Sequence, residues 1–361
     1  MKTGLVRSLE EVMAENKVQG QAQAQGYKYT TKDFQSSQDV RWCPGCGDYS
    51  ILAQMQRVSP DLGVKKENMV WISGIGCAAR FPYYMNTYGV HGIHGRATAI
   101  ASGVKINRPD LSVWVATGDG DLLSIGGNHF IHACRRNVGI KIILFNNRIY
   151  GLTKGQYSPT SEKGKKTKST PYGSVDYPFN PISLAIGSGA TFVARSLDRD
   201  AKHLQAMMKR AAEHKGTAFI EVFQNCNIFN DGAFELLTDK NTKPDHVLVL
   251  EHGKPMVFGK NNDKGIRLDG LTPEVVDISN GKYSIEDLWV HDEYDKNSFR
   301  AHILSQFDEM DGFPTPIGIY TQILKTTYEE DFHEQINSIK KAKGNGDLRK
   351  LLYGMNTWEV K

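Results

Sequence analysis

Four of the five cysteines lie in segments that suit a soft metal centre. Cys43 and Cys46 belong to a Cys-Pro-Gly-Cys-Gly motif, a turn that holds two thiols three residues apart. Cys77 follows a Gly-Ile-Gly turn, and Cys226 lies just beyond an apolar stretch, although either alone would also suit a small buried position. This spacing favours zinc and an iron-sulfur cluster equally. A thioredoxin-like dithiol fits less well, because its motif should lead into a helix of a smaller fold.

The fifth cysteine, Cys134, follows a different pattern. It continues the spacing of Leu123, Gly127 and Phe130, at intervals of 4, 3 and 4 residues, which places all four on one face of a helix. We therefore expect Cys134 in the core. An odd number of cysteines outside a secretory context also argues against a disulfide framework.

The segment around Cys77 permits a competing interpretation. Gly74-Ile75-Gly76-Cys77-Ala78-Ala79 fits the dinucleotide-binding pattern GxGxxA, which places a pyrophosphate at the start of a helix. That pattern needs an acidic residue about 20 positions later. None occurs between Arg80 and Pro109, and a cysteine in the turn suits a metal better. The dinucleotide interpretation is therefore the weaker one.

A second group of residues has the chemistry of a magnesium diphosphate site. Gly-Asp-Gly-Asp at 118–121 follows an apolar stretch, and Asn147, the second residue of an Asn-Asn pair, stands 28 residues after Asp119. Each polar group follows a predicted strand, so the two are expected to meet at one edge of a sheet. Mg²⁺ prefers such oxygen ligands together with phosphate oxygens. The glycines let the backbone approach a diphosphate, and the helix start near Leu122 offers amide donors.

At this point the sequence resembles the thiamine-diphosphate enzymes and, more closely, the β subunits of 2-oxoacid:ferredoxin oxidoreductases. The resemblance covers roughly residues 39–260, and the joint occurrence of its motifs is highly specific. These motifs are Cys43-Pro44-Gly45-Cys46-Gly47, Gly74-Ile75-Gly76-Cys77, His94-Gly95-Arg96, Gly118-Asp119-Gly120, Asn146-Asn147 and Leu152-Thr153-Lys154-Gly155-Gln156-Tyr157-Ser158-Pro159-Thr160.

The resemblance implies three cofactors: thiamine diphosphate, Mg²⁺ and a [4Fe-4S] cluster. It assigns the cluster to Cys43, Cys46, Cys77 and Cys226, and the Mg²⁺ ion to Asp119, Asn147 and the backbone carbonyl of Ile149. The full set of residues expected to bind cofactors is Gly45, Cys46, Gly47, Ile75, Gly76, His94, Gly118, Asp119, Gly120, Asp121, Asn147, Ile149, Gly151, Leu152 and Thr153.

Three further residues are candidates for a part in catalysis. His94 and Arg96 precede a predicted helix and are expected near the diphosphate or the substrate carboxylate; the plain alternative is that they only shape the helix start. Lys154 stands in Thr-Lys-Gly-Gln, where pyruvate-type relatives tend to carry glycine. An ammonium at this place is expected to pair with the distal carboxylate of 2-oxoglutarate, and the plain alternative is an exposed lysine.

The activity implied is the coenzyme A-acylating oxidative decarboxylation of 2-oxoglutarate to succinyl-CoA and CO₂, reversibly, with electrons passed to ferredoxin. A pyruvate or broad-specificity enzyme, an indolepyruvate enzyme and a non-catalytic scaffold with a zinc site are the alternatives. By resemblance, thiamine enzymes need a second α/β domain that supplies a Glu to the aminopyrimidine ring. This chain has room for one such domain, so an α subunit should supply the other, in a dimer of heterodimers.

The elements that must position these residues alternate between strand and helix. Apolar runs predict strands at 69–72, 111–116, 140–145 and 218–223, with helices near 48–58, 97–107, 122–137 and 199–215 between them. This alternation predicts an α/β fold with a mainly parallel sheet flanked by helices, the thiamine-diphosphate-binding fold by resemblance. Ligands of such sheets gather at the carboxyl ends of the strands.

The flanking segments are expected to carry little chemistry. Residues 1–38 are predicted to be an extension, 39–235 the cofactor-binding domain, and 236–361 a mixed C-terminal extension with a loop at 269–276 and a charged helix near 327–343. The 44 basic and 40 acidic residues give a net charge of +4, too balanced to indicate nucleic acid. The basic run at 163–168 is predicted to be a solvated loop. Without an apolar membrane span or signal peptide, the protein is expected in the cytoplasm.

Overall fold

The computed structural model describes residues 28–360, so most of the predicted N-terminal extension, 1–27, lies outside the described residues. Its strands are β1 (Met69–Ser73), β2 (Tyr88–His91), β3 (Ser112–Gly118), β4 (Ile140–Asn146), β5 (Phe192–Leu197), β6 (Ala218–Phe223), β7 (Val247–Leu250), β8 (Val257–Phe258), β9 (Lys264–Asp269), β10 (Thr272–Asp277) and β11 (Thr315–Gln322).

Helices connect and cover these strands. The α-helices are α1 (Asp48–Val58), α2 (Phe81–Tyr84), α3 (Ala97–Asn107), α4 (Gly127–Arg136), α5 (Pro181–Gly187), α6 (Ala201–Glu213), α7 (Glu235–Thr238), α8 (Lys243–His246), α9 (Phe299–Ser305), α10 (Tyr328–Lys343) and α11 (Leu348–Tyr353). Short 3₁₀ turns occur at Thr31–Phe34, Ser59–Leu62, Lys66–Asn68, Ala78–Arg80, Ile285–Asp287 and Phe307–Glu309, and a π-helical turn at Asp121–Ile125.

Eight strands form the main sheet in the order β2-β1-β3-β4-β6-β5-β11-β7. Every neighbouring pair is parallel except β5 and β11, which are antiparallel, so β11 and β7 run against the other six strands. Strands β8 to β10 form a small antiparallel sheet. The predicted mainly parallel sheet flanked by helices is confirmed.

The sheet is buried on both faces, which explains why its strands are apolar without alternation. On one face Ile72 and Val115 pack in the cluster that contains Phe130 of α4. On the other face Trp71 and Trp114 stack with their ring centroids 5.4 Å apart. That second cluster also takes in the inner faces of α1 and α6. Each helix therefore covers the sheet with its apolar stripe.

The strand pairing sets four carboxyl ends side by side. Ser73 at the end of β1 pairs with Ala116 of β3, and Gly118 at the end of β3 pairs with Phe145 of β4. The last residue of β4 pairs in turn with Phe223, the last residue of β6. The loops that begin at 74, 119, 147 and 224 therefore leave the sheet at one edge. All the motifs singled out in the sequence lie in or beside these loops.

The four predicted strands and four predicted helices are all present, with one interruption. The helix expected at 122–137 is split, because the backbone at Ser124 leaves the helical region (φ −85°, ψ −106°) before α4 begins at Gly127. The first part is the π-helical turn that follows the Gly-Asp-Gly-Asp motif. Such turns often occur at functional sites.

The C-terminal segment is more closely tied to the main sheet than its composition suggests. Strands β7 and β11 lie beyond residue 235 yet extend the same eight-stranded sheet. The loop predicted at 269–276 is wrong: β9 and β10 form a hairpin around Gly270, whose φ is +61°. The charged helix near 327–343 is confirmed as α10. Among the described residues, no helix combines the length and the apolar character that a membrane crossing requires.

Candidate site for an iron-sulfur cluster and a magnesium diphosphate

The four predicted cysteine ligands converge on one edge of the sheet. Cys43 and Cys46 lie just before α1, Cys77 follows β1, and Cys226 follows β6. A Cβ atom added to Gly151 would stand 3.6 Å from the sulfur atoms of both Cys77 and Cys226, so these two atoms lie within twice that distance of each other. The thiol of Cys46 lies close enough to those of Cys77 and Cys226 to interact with them electrostatically. The thiol of Cys77 interacts in the same way with that of Cys43. Three separate loops thus bring four thiols to one place.

The turn that carries Cys43 and Cys46 is held by its backbone. The amide of Cys46 donates to the carbonyl of Cys43 at 3.0 Å, and Gly45 between them takes a φ of +84°, which favours glycine. The amide of Gly47 donates to the carbonyl of Asn225 at 3.1 Å, next to Cys226 in the chain. This bond joins the turn to the end of β6.

The surroundings of Cys46 and Cys77 disfavour ionisation of these two thiols. Burial raises the pKa of Cys46 strongly and that of Cys77 to about 12, and the nearby Asp48 adds to both shifts. Thiols bind metals as thiolates, so a positive centre among them would reverse this preference. In the described part of the chain, no three His, Cys, Asp or Glu side chains are gathered as closely as a single metal ion needs. A [4Fe-4S] cluster takes four thiolates, one at each iron, and the four thiols gathered here provide that number of donors.

Cys134 is separate from this group, as predicted. Its side chain is fully buried within α4, in the same apolar cluster as Phe130 and Val138. Burial raises the pKa of its thiol strongly. It is therefore a core residue and not a ligand.

Asp119 lies directly after β3 and is buried, with 3% of its surface exposed. Two hydroxyl groups contact its Oδ2 atom, that of Ser158 at 2.5 Å and that of Thr160 at 2.6 Å. Burial raises the pKa of Asp119, while these two contacts act in the opposite direction. A buried carboxylate gains most from a cation, so this residue fits a ligand of Mg²⁺.

Asn147 begins the loop after the neighbouring strand β4. Its Oδ1 atom accepts a hydrogen bond from the amide of Ile149 at 3.1 Å, and its Nδ2 atom donates to Gln224 at 2.9 Å. These two bonds fix which end of the amide is oxygen. Since β3 and β4 are paired along their length, Asn147 and Asp119 leave the sheet from adjacent strands.

Two glycines of the Gly-Asp-Gly motif are used differently. A Cβ added to Gly118 would meet nothing within 4 Å, so the backbone there can be approached closely by a diphosphate. One added to Gly120 would stand 2.0 Å from the Tyr150 ring, whose hydroxyl donates to the Gly120 carbonyl at 3.2 Å. Gly120 therefore lets the loop after β4 pack against the loop after β3.

Asp121 joins the surrounding loops to one another. Its Oδ1 atom accepts hydrogen bonds from the amides of Ile75 at 3.0 Å and Gly95 at 2.7 Å, and Thr117 donates to its Oδ2 atom at 2.9 Å. Gly74 is needed here, because an added Cβ would lie 2.1 Å from that carboxylate. This close approach accounts for the first glycine of the dinucleotide-like pattern. Direct contact of Asp121 with a cofactor stays a prediction.

His94 and Arg96 each contact a residue of the segment that follows β3. The Nδ1 atom of His94 lies 2.6 Å from Asp121, and 41% of the His94 side chain is exposed, so its Nε2 edge is turned outward. Arg96 directly precedes α3, and its Nη1 atom donates to the carbonyl of Ile125 at 3.1 Å. His94 is thus oriented as a ligand-contacting residue would be, whereas Arg96 is occupied in joining two loops. Their catalytic roles stay predictions.

The loop after β4 reaches from the candidate magnesium site to the cysteines. Ile149 stands at its start, and Gly151, two residues later, lies against Cys77 and Cys226. Lys154 occupies a turn at φ +76°, and its amide donates to the carbonyl of Gly151 at 3.0 Å. Leu152, Thr153 and Lys154 are exposed. Lys154 therefore lies on the exposed turn of the loop whose Gly151 packs against Cys77 and Cys226.

A cavity of about 520 Å³ opens next to this loop. Ile75, Gly76 and Leu152, three of the residues expected to bind cofactors, line it together with Arg80 and His91. Gly76 precedes Cys77 in the chain, so the cavity opens beside the loop that follows β1.

The sequence gives no signal for the two hydroxyl residues that contact Asp119. Ser158 and Thr160 stand in the sequence only as part of the Leu152–Thr160 motif, yet both contact Asp119. Thr160 also lies 2.8 Å from the side chain of Asn146, the first residue of the Asn-Asn pair. The Ser-Pro-Thr segment indicated a turn, but nothing in it showed that two hydroxyl groups would meet a carboxylate 39 and 41 residues away.

The chain is similar to several known proteins. Residues 69–222 match the family model described as "Thiamine pyrophosphate enzyme, C-terminal TPP binding domain". The chain is 51% identical over 331 residues to the 2-oxoglutarate oxidoreductase subunit KorB of Mycobacterium tuberculosis, an alignment that covers 91% of this chain and 88% of that protein. It is 52% identical over 192 residues to a 2-oxoacid:ferredoxin oxidoreductase subunit beta from Sulfolobus, covering 53% of this chain and 63% of that one.

A solved structure shares the fold over nearly the whole chain. It is a 2-oxoglutarate:ferredoxin oxidoreductase from Magnetococcus marinus with 2-oxoglutarate, coenzyme A and succinyl-CoA bound. The TM-score is 0.72 at 30% identity, and the match covers 92% of this chain and 98% of that one. The chain therefore belongs to the β subunits of the 2-oxoacid:ferredoxin oxidoreductases.

Proposed function

We propose that this chain carries the [4Fe-4S] cluster and the Mg²⁺-diphosphate half of the thiamine site in an enzyme that oxidises 2-oxoglutarate. The observation that supports this best is the path of the loop after β4. Ile149 lies beside Asn147 at one end of that loop, and Gly151 lies against Cys77 and Cys226 two residues later. This path supports a cluster and a diphosphate site that are neighbours, as electron transfer between them would require.

The role of each group follows from its place. Asp119, Asn147 and the Ile149 carbonyl would hold Mg²⁺, and the open backbone at Gly118 would receive the diphosphate. Thiamine diphosphate, when bound, supplies the electron sink for decarboxylation. Conversion of 2-oxoglutarate and coenzyme A to succinyl-CoA and CO₂ releases two electrons and a proton. A cluster at the four cysteines would pass those electrons singly to a ferredoxin.

The active site would need a second subunit. Residues 28–360 contain one thiamine-type sheet domain, and the cavity beside Ile75 and Leu152 is open. We expect the isolated chain to show no turnover of any 2-oxoacid and activity to appear on adding an α-type partner that supplies the pyrimidine-binding domain. Anaerobic assays of the chain, the partner and their mixture test this. Robust turnover by the pure chain alone would refute the shared site.

Substrate selection is proposed to depend on Lys154. If its ammonium pairs with the distal carboxylate of 2-oxoglutarate, Lys154→Met should lower kcat/KM for that substrate by about ten- to a hundredfold, since a hydrogen bond to a charged group contributes roughly 1.5 to 3 kcal/mol. Pyruvate has no distal charge and should be affected much less.

The matched control for Lys154 is Lys168→Met, which removes an equally exposed lysine from the basic loop. It should leave kcat/KM for both substrates unchanged. If Lys154→Met lowers kcat/KM for 2-oxoglutarate and pyruvate by the same factor, Lys154 supports the loop or the chemical step, and it does not recognise the substrate.

A further inference from the structure

Gln224 lies between the two candidate centres and belongs to neither predicted ligand set. It follows β6 directly, and only 1% of its surface is exposed. Its backbone amide donates to the carbonyl of Asn146 at 2.9 Å, which brings it against the Asn-Asn pair. Its side chain then contacts a predicted ligand of each centre, Asn147 on one side and Cys46 on the other.

The orientation of the Gln224 amide follows from its partners. Since the Oδ1 atom of Asn147 accepts from the Ile149 amide, its Nδ2 atom must be the donor toward Gln224. The Oε1 atom of Gln224 accepts that bond at 2.9 Å. The Nε2 atom is thereby turned the other way, where it donates to the sulfur of Cys46 at 3.4 Å and to the carbonyl of Asn225 at 2.6 Å.

Packing keeps this amide in place. A Cβ added to Gly47 would lie 2.8 Å from the Cγ atom of Gln224, so the cysteine turn presses directly on the side chain. The bond from the Gly47 amide to the Asn225 carbonyl holds the turn there. Both amide atoms of this buried glutamine are hydrogen-bonded and its methylene groups are packed. Any other rotamer would therefore cost free energy.

We propose that Gln224 is a positioning residue that couples the two centres. Its N–H group donates to the Cys46 sulfur and so favours the reduced, more negative state of the cluster, because hydrogen bonds to cluster sulfurs tune the reduction potential. Its carbonyl oxygen accepts from the Nδ2 atom of Asn147 and so holds the Oδ1 atom of Asn147 toward Ile149, the two residues that would bind the cation. The inference rests on the proposed function and adds to it the residue that links electron donor and acceptor.

Two substitutions separate the two ends of the side chain. Gln224→Leu removes both bonds. This variant should shift the reduction equilibrium of the cluster about tenfold toward the oxidised state, a change of 59 mV in the potential of a one-electron couple. It should also raise the Kd for thiamine diphosphate about tenfold. Gln224→Glu keeps an acceptor for Asn147 but loses the donor. Gln224→Glu should lower the reduction potential of the cluster at least as much as Gln224→Leu does. The Kd for thiamine diphosphate should stay within about twofold of wild type.

The matched control is Gln54→Leu. Gln54 is also a buried glutamine, with bonds to Arg57 at 3.0 Å and Gln205 at 2.7 Å, and it bonds to neither candidate centre. The variants are compared in the anaerobic complex with the α-type partner, by redox titration followed by electron paramagnetic resonance and by thiamine diphosphate titration at saturating Mg²⁺. Gln54→Leu should match wild type in both measurements.

The outcomes distinguish this inference from the proposed function. A wild-type complex without a [4Fe-4S] signal would refute the proposed function before any variant is measured. A wild-type signal with unchanged potentials in both Gln224 variants would refute the coupling alone. The coupling would also be refuted if Gln224→Leu and Gln224→Glu weakened thiamine diphosphate binding equally, or if both variants lost the cluster. Either result would describe a residue that is needed for folding and does not tune the reduction potential.

Discussion

Replacing Cys43, Cys46, Cys77 or Cys226 with serine is expected to remove most of the iron and sulfide from the protein. Each change deletes one of the four thiolates that the structure brings together from three loops, and serine is a poor ligand for iron. The result should be the same for Cys226, which is distant in sequence, as for the Cys43 and Cys46 pair. Iron and acid-labile sulfide are measured after anaerobic purification and compared with wild type.

Cys134→Ser is the internal control for this experiment. Its hydroxyl would be buried in an apolar cluster, so the free energy of unfolding should fall by about 1 to 3 kcal/mol, the cost of a buried polar group without a partner. The iron and sulfide content of the folded protein should not change. Iron loss from Cys134→Ser equal to that from Cys77→Ser would contradict the ligand assignment.

Asp119→Asn is expected to have the second large effect. The substitution keeps the shape of the side chain and its contacts with Ser158 and Thr160 but removes the charge that a cation needs. Changes to residues that only orient metal ligands already cost about ten- to a hundredfold in affinity. The Kd for thiamine diphosphate at fixed Mg²⁺ should therefore rise on the order of a hundredfold, with the iron content unchanged.

Asp110→Asn controls for the loss of a carboxylate just before β3. Asp110 is exposed and pairs with Arg108 at 2.6 Å, and it precedes the amino end of β3, whereas Asp119 follows the carboxyl end. It should bind thiamine diphosphate as wild type does. If Asp119→Asn also retains wild-type affinity and Mg²⁺ dependence, the cation lies elsewhere.

The strands whose carboxyl ends carry the motifs could be predicted from the sequence because their signals are local. Cys43 and Cys46 lie in one short turn, and the Gly-Asp-Gly and Asn-Asn motifs each follow a continuous apolar strand. Once the strands were assigned, parallel topology required Asp119 and Asn147 to be neighbours. In the sequence, only the resemblance to a known family distinguishes an iron-sulfur cluster from a zinc site.

The features that were missed depend on contacts between distant segments. Strand β5 carries Arg195 in its middle, which hid its apolar character; the structure pairs this arginine with Glu221 at 2.7 Å and with Asp308 in the C-terminal segment at 2.7 Å. The partner strand β11, which carries Tyr320 in contact with Arg195, completes this buried network. No local periodicity shows that such a charge will be neutralised from 26 and 113 residues away.

The hairpin of β9 and β10 was missed for a different reason. Asp269 and Gly270 form an Asp-Gly pair between two short strands, a common hairpin signal, but the surrounding residues are polar and were interpreted as loop. Gln224 gave no signal, since a single glutamine after a strand has no motif. Its importance comes entirely from the two side chains that it meets.

The most direct test of the account is whether 2-oxoglutarate reduces a cluster bound to this chain. The complex with its α-type partner is prepared without oxygen and loaded with thiamine diphosphate and Mg²⁺. It is then frozen after addition of 2-oxoglutarate and coenzyme A and measured by electron paramagnetic resonance. We predict the signal of a reduced [4Fe-4S] cluster in wild type, and its absence in Cys77→Ser and in Asp119→Asn. Turnover of 2-oxoglutarate by a complex whose β chain contains zinc and no iron, or a cluster that stays oxidised during turnover, would contradict it.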